Sequence, residues 1–161
     1  TGIKKTLYAP LLAIDALLEM HSVSENRIVP ISKFSEVPEG FILTKIKVPI
    51  NQWDISIYKR VGPSYEITDD SASFVFLANT YKGILADVRM AFSGSVSLRS
   101  REWENKIIGT RLPISNRIIE TMIEEAEKDF VTQTDFMNII CNPILKDQYL
   151  NLVRYSLMQL T

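Results

Sequence analysis

Between residues 39 and 60 the hydrophobic pattern sets up two strands in succession. Ile42, Thr44, Ile46 and Val48 alternate with Leu43, Lys45 and Lys47, the period of a half-buried strand. Pro49 removes a ladder donor and ends it, and residues 49–52 form a connection. Ile55, Ile57 and Tyr58 then begin a second short strand, which leaves through Lys59-Arg60. Upstream, Leu7, Leu11, Leu12 and Ile14 fit one face of a short helix that tolerates Pro10 only near its first turn. Residues 16–22 and 27–31 read as two strands around the polar turn Ser24-Glu25-Asn26, followed by a polar connection to residue 40.

Downstream, Gly62-Pro63-Ser64 breaks the chain and residues 65–73 are polar. The apolar run 74–78 and the alternating run 84–93 flank a turn carrying Gly83, the residue a tight hairpin favours. In the second run Leu85, Asp87, Arg89 and Ala91 oppose Ile84, Ala86, Val88, Met90 and Phe92. Together these runs predict an antiparallel sheet of three or four strands with one face packed and one partly wet. Ser115 then caps a helix with the stripe Ile118, Ile119, Met122, Ile123, Ala126 and Phe130. Asn142-Pro143 opens another, with Leu145, Tyr149, Leu152, Val153, Ser156 and Leu160 in line. The expected class is α+β, a sheet packed with a C-terminal group of about three helices.

At 161 residues, 46% hydrophobic and 23% charged, the chain has an ordinary globular composition and the length for one core, or a core plus a small appendage. A net charge of -1 gives no global field for nucleic acid or an anionic membrane. The apolar runs 7–13 and 74–78 fall far short of the roughly 20 residues of a membrane span, and no secretory signal precedes them, so a cytoplasmic location is expected. With Cys141 the one cysteine and His21 the one histidine, an internal disulfide and metal chemistry within the chain are not expected.

The remaining single residues carry little chemistry. TGIKK begins without methionine and reads as the start of a fragment or processed chain; Thr1 lacks the constellation of an N-terminal nucleophile. Asp69 and Asp70 point to opposite sides of an extended chain and belong to a solvated loop. His21 has no visible acidic companion. Trp53, Tyr58 and Tyr65 offer a stacking surface for a ring, although aromatics between strands ordinarily serve the core or its rim. There is no phosphate-binding glycine motif, metal-ligand cluster or nucleophile elbow.

The order within EGFILTKIKVPINQWDISIYKR is glycine, an apolar strand closing on proline, a short polar gap, then aromatic-Lys-Arg. It resembles a junction in the flavin-binding subunits of the molybdenum hydroxylases, the FAD domain or subunit of xanthine dehydrogenase and the medium chain of carbon monoxide dehydrogenase. LLAIDALLEM and VPISKF are similar to that family's "pLLALDA" helix and "PLxxF" run, and Ser93-Gly94-Ser95-Val96 followed by ENKIIGTRL is similar to its small-residue loop and the helix after it. The resemblance implies that residues 1–36 are the tail of a flavin-binding subdomain and residues 37–161 a C-terminal domain. It implies FAD as cofactor, with the pyrophosphate-binding loops lying before Thr1.

Three cofactor contacts follow from the resemblance. Lys59 would lie near the flavin ring and favour its electron-rich reduced form. Leu43 matches a strand leucine that touches the cofactor, and Thr6 stands where some relatives have a cofactor-contacting aspartate, without that charge. Arg60 is placed to hold the neighbouring acidic loop instead. The implied partners are a molybdopterin-binding large subunit, which hydroxylates a heterocycle or aldehyde, and an iron-sulfur small subunit that delivers electrons to FAD and on to NAD or another acceptor. Two alternatives remain at this level: an assembly module of the same fold without flavin, and a small-molecule sensor domain with an antiparallel sheet.

Overall fold

The computed structural model describes residues 6–63, 65–68, 70–138 and 142–161; Thr1, Asp69 and Cys141 lie outside the described residues. Helix α1 (Tyr8–Ala13) is followed by β1 (Leu17–His21), β2 (Asn26–Pro30) and, after a 3-10 turn at Ile31–Lys33, by β3 (Ile42–Lys47). Strands β4 (Ile55–Val61), β5 (Ala72–Tyr81), β6 (Ile84–Ser93) and β7 (Ser97–Leu98) lead into helices α2 (Arg101–Ile107), α3 (Asn116–Phe136) and α4 (Pro143–Met158). The strands form two antiparallel sheets, one ordered β2-β1-β3 and the other β4-β5-β6-β7. The class is α+β, as the hydrophobic pattern predicts.

The four-stranded sheet carries the core because it is covered on both faces. Phe74, Phe76, Val88, Met90 and Phe92 meet Trp103 of α2, Ile119, Met122 and Phe130 of α3, and Tyr149 and Val153 of α4. On the opposite face Val75, Leu77 and Ala91 pack under Ala9, Leu12 and Ala13 of α1. A strand buried on both sides must be apolar throughout, which is why residues 74–78 show no alternation. The Tyr149 ring sits at the centre of an aromatic group, 5.1 Å from Phe92, 5.4 Å from Phe130 and 6.4 Å from Phe74 between centroids. At the β5–β6 turn Lys82 and Gly83 take φ of 53° and 74°, the paired left-handed conformation of a two-residue hairpin.

Several sequence expectations are corrected. Strand β3 has all six residues exposed rather than half-buried. It pairs with β1 as an outer strand, and among the described residues no layer lies over it. Leu85 does not share the face of Arg89: an irregularity opposite Asn79/Thr80 shifts the register, so Leu85 is buried with Val88 and Met90 in the main core. Helix α1 buries Ala9, Leu12 and Ala13, while Leu7 is exposed. Helix α2 begins at Arg101, where the Ser100 hydroxyl accepts from Trp103 N, and ends at Ile107 rather than covering residues 104–112. The caps at Ser115 and Asn142 stand where the sequence puts them.

Trp103 ties α2 to α3: it is 1% exposed and its indole N–H donates to the Met122 carbonyl at 2.8 Å. Trp103→Phe keeps a ring but removes that hydrogen bond and leaves a small void, so a loss of about 1–3 kcal/mol is expected from chemical denaturation.

Candidate functional site

A dense polar group gathers where α1 ends. Asp15, in the left-handed conformation (φ 57°), turns the chain out of α1. Its carboxylate accepts from Arg89 of β6 at 2.9 Å, from Arg99 at 2.8 Å, and from Arg101 of α2 at 2.6 and 2.7 Å. The same arginines reach the end of α1 directly, Arg99 donating to the Leu12 carbonyl and Arg89 to that of Ala13. On the inner side Glu104, 2% exposed, accepts from Arg99 Nε at 2.9 Å, Met90 N at 3.1 Å and Arg101 at 3.2 Å. Trp53 lies under the Arg89 guanidinium, 5.0 Å away.

The electrostatics identify this group as a clasp. Three guanidinium groups face Asp15, Glu104 and Asp87, so the cluster is neutral. Partial burial works to raise the Asp15 carboxyl, but the hydrogen bonds from Arg101 and Arg99 and their charges outweigh it and hold the group below its ordinary value. A cavity of about 500 Å³ opens beside it, lined by Tyr8, Ser95, Gln133, Arg99 and Arg101. Every N–H of Arg99 is already directed at Asp15, Glu104 or Leu12, which leaves that guanidinium nothing with which to hold an anion.

The three candidate cofactor residues fall on separate surfaces. Neighbours on β4 alternate in direction: the Tyr58 hydroxyl donates to the Thr6 carbonyl at 3.3 Å on the α1 side. Lys59 faces the helical side, its Nζ 5.7 Å from the Tyr155 ring centroid in α4. Leu43 lies on β3 in the other sheet, 37% exposed. Both strands are the outermost of their sheets, so Lys59 and Leu43 border open edges, and the three residues share no pocket. A groove of about 440 Å³ runs beside Thr6 between α1 and β4–β5, with Leu7, Pro10, Ile14, Tyr58 and Leu77 in its walls. Arg60 holds the loop that follows it, donating to the Glu66 carbonyl at 2.6 Å.

A second charged group escapes sequence reasoning. On β1 the Glu19 carboxylate receives Lys47 Nζ at 2.6 Å and Lys45 Nζ at 3.0 Å from β3, with His21 Nε2 at 2.9 Å. His21 therefore has an acidic companion after all, two residues away on the same strand face. Hydrogen bonds from Lys47, His21 and Lys45 hold the Glu19 carboxyl at about 2, against an ordinary 4.5. Among the described residues no group of His, Cys, Asp and Glu is arranged to hold a metal, and no helix is long and apolar enough to cross a membrane.

The two carboxylates of the clasp should differ in effect. Glu104→Gln, at a buried position, is expected to cost about 3–5 kcal/mol. Asp15→Asn keeps the left-handed backbone at a partly exposed site and is expected to cost about 0.5–1 kcal/mol. Urea unfolding at neutral pH ranks them. Glu19 sets an acid dependence: its pKa is depressed in the fold, so its contribution is complete above about 4.5 and is lost as the pH falls towards about 2. The stability gap between the parent chain and Glu19→Gln should close over that window.

No protein-family model matches the chain, and no curated protein sequence matches it. Solved structures do. A chain of the Cu,Mo-CO dehydrogenase in its cyanide-inactivated form is 14% identical, matching 99% of this chain and 58% of that one with a TM-score of 0.72. Carbon monoxide dehydrogenase from Hydrogenophaga pseudoflava, lacking the Mo-pyranopterin moiety of its cofactor, gives 14% identity over 94% of this chain and 53% of that one, TM-score 0.66. Quinoline 2-oxidoreductase from Pseudomonas putida 86 gives 12% identity over 99% and 56%, TM-score 0.64. The chain spans a little over half of each matched chain, and what it shares with these enzymes is the fold that its motifs imply.

Proposed function

We propose that this chain is part of the FAD-binding subunit of a molybdopterin-dependent oxidoreductase, contributing one wall of the flavin site and a docking surface for partner subunits. The observation that carries the reading is the match of nearly the whole chain to a chain of the Cu,Mo-CO dehydrogenase. The independently read runs LLAIDALLEM, VPISKF and the 39–60 junction point the same way. In this reading residues 1–36 are the tail of a flavin-binding subdomain and residues 37–161 the C-terminal domain. The partners are a molybdopterin-binding large subunit and an iron-sulfur small subunit, and electrons leave the flavin for NAD or another acceptor. The complex is cytoplasmic.

Of the three residues only Thr6 borders a groove; Leu43 and Lys59 lie on other surfaces and would reach a flavin only around the open edges of β3 and β4. The groove beside Thr6 is apolar and bordered by the Tyr58 ring, suited to the edge of a planar ring system. Leu43 adds an exposed apolar contact from β3. Lys59 supplies positive charge at the open edge of β4, where it would favour added electron density on the ring. The flavin supplies one- and two-electron transfer when bound; this chain orients it and biases its potential. Residues 6–161 hold no phosphate-binding glycine loop, so the isolated chain is expected to bind FAD weakly or not at all.

Native purification of the full-length gene product with its partners tests the reading through the visible absorbance of oxidised flavin. A flavin band supports it; a colourless, well-folded complex contradicts it and leaves the assembly module. In the flavin-bearing complex Lys59→Met should keep the band and lower the flavin midpoint potential by tens of millivolts, roughly 1 kcal/mol, in spectroelectrochemical titration. An unchanged potential removes Lys59 from the site.

A further inference from the structure

Lys59 stands on the side of β4 opposite the groove beside Thr6. In the register of β4 with β5, Tyr58 lies opposite Val75 and Lys59 opposite Phe74. Val75 packs under α1, whereas Phe74 belongs to the core beneath the helices. Tyr58 and the groove therefore share one face, and Lys59 has the other. An ammonium on that face meets a ligand of the groove only by turning outward around the open edge of β4.

On the helical face the ammonium has a place of its own. Its Nζ lies 5.7 Å from the centroid of the Tyr155 ring, within the reach of a cation–π contact. No carboxylate competes for it, because Lys59 has no ion pair among the described residues. Tyr155 is half-exposed, and α4 is anchored on the sheet through Tyr149 and Val153, so the ring stays in place when the lysine moves. At an exposed site such a contact favours the ring-bound position about two- to fivefold over release.

We propose that the Tyr155 ring is a resting place for the Lys59 ammonium, one that holds its charge back from the groove side of β4 and so limits how far this chain favours a reduced flavin. The inference rests on the flavin reading above. Lys59 gives up the ring whenever it turns to the open edge, so the contact opposes the move by which its charge would act. The ammonium stays on Tyr155 while no negative charge faces the edge and leaves it when one develops there. Removing the ring should therefore favour the reduced form about two- to fivefold, a rise of about 10–20 mV in a two-electron midpoint at about 30 mV per tenfold.

The test compares Tyr155→Leu and Tyr155→Phe in the flavin-bearing complex by spectroelectrochemical titration, each in the parent and in the Lys59→Met background. Tyr155→Leu should raise the midpoint by that amount. Tyr155→Phe keeps a ring and should leave the midpoint in place, and neither change should move it once Lys59 is replaced. In the flavin-free chain the side-chain protons of Lys59 should show the upfield NMR shift of an aromatic neighbour, kept in Tyr155→Phe and lost in Tyr155→Leu. An unchanged or lowered midpoint in Tyr155→Leu, a rise that persists without Lys59, or no ring shift at Lys59 overturns the proposal. Those midpoints are read in a complex that carries its flavin band; a complex without the band overturns the flavin reading itself, and this inference with it.

Discussion

One carboxylate, that of Asp15, fixes how the first part of the chain meets the rest. Helix α1 has six residues, too few to hold its shape by propensity alone, and no basic residue in its last turn. Its C-terminal carbonyls are instead capped from outside by Arg89 and Arg99, and Asp15 is the anion that brings those arginines together with Arg101. The left-handed backbone at Asp15 points the carboxylate back under the helix end. With α1 fixed there, Ala9, Leu12 and Ala13 cover the second face of the four-stranded sheet, and Leu7 and Pro10 become a wall of the groove beside Tyr58.

The two sheets have different physical standing. The four-stranded sheet is sandwiched between α1 and the helices α2 to α4, and its inner strands carry the apolar content that this demands. The three-stranded sheet buries Leu18 and Met20 on β1 yet leaves Ile28, Ile42 and Ile46 in solvent. Its cohesion owes much to β1–β3 pairing and to Lys45 and Lys47 converging on Glu19. The outer strands β2 and β3 therefore keep open edges with apolar side chains exposed.

Local signals were legible in the sequence. The stripes of α3 and α4, their Ser115 and Asn142 caps and the Gly83 hairpin follow from periodicity and from the few residues that can cap or turn. Long-range features were not. Alternation in β3 names two faces but cannot say whether a layer covers either, and the irregularity opposite Asn79/Thr80 moves Leu85 to the core face by a register change with no clear local mark. The clasp joins Asp15 to Arg99 across 84 residues, and the second charged group joins Glu19 to Lys45 across 26. Nothing in LLAIDA distinguishes its aspartate from a solvated one. The Glu19–His21 pair could have been found, since residues two apart on a strand share a face. The motifs that named Lys59, Leu43 and Thr6 carry no information on direction, and the structure turns Lys59 and Tyr58 to opposite sides of β4.

Hydrogen exchange of the amides in α1 and β1, with and without the Asp15 carboxylate, tests the clasp most directly. If Asp15 fixes α1 on the sheet, Asp15→Asn should accelerate exchange in residues 9–18 while β5 and β6 exchange at nearly the parent rate. A uniform acceleration across the chain, or none, would mean that α1 is held by its apolar contacts alone and would contradict the account.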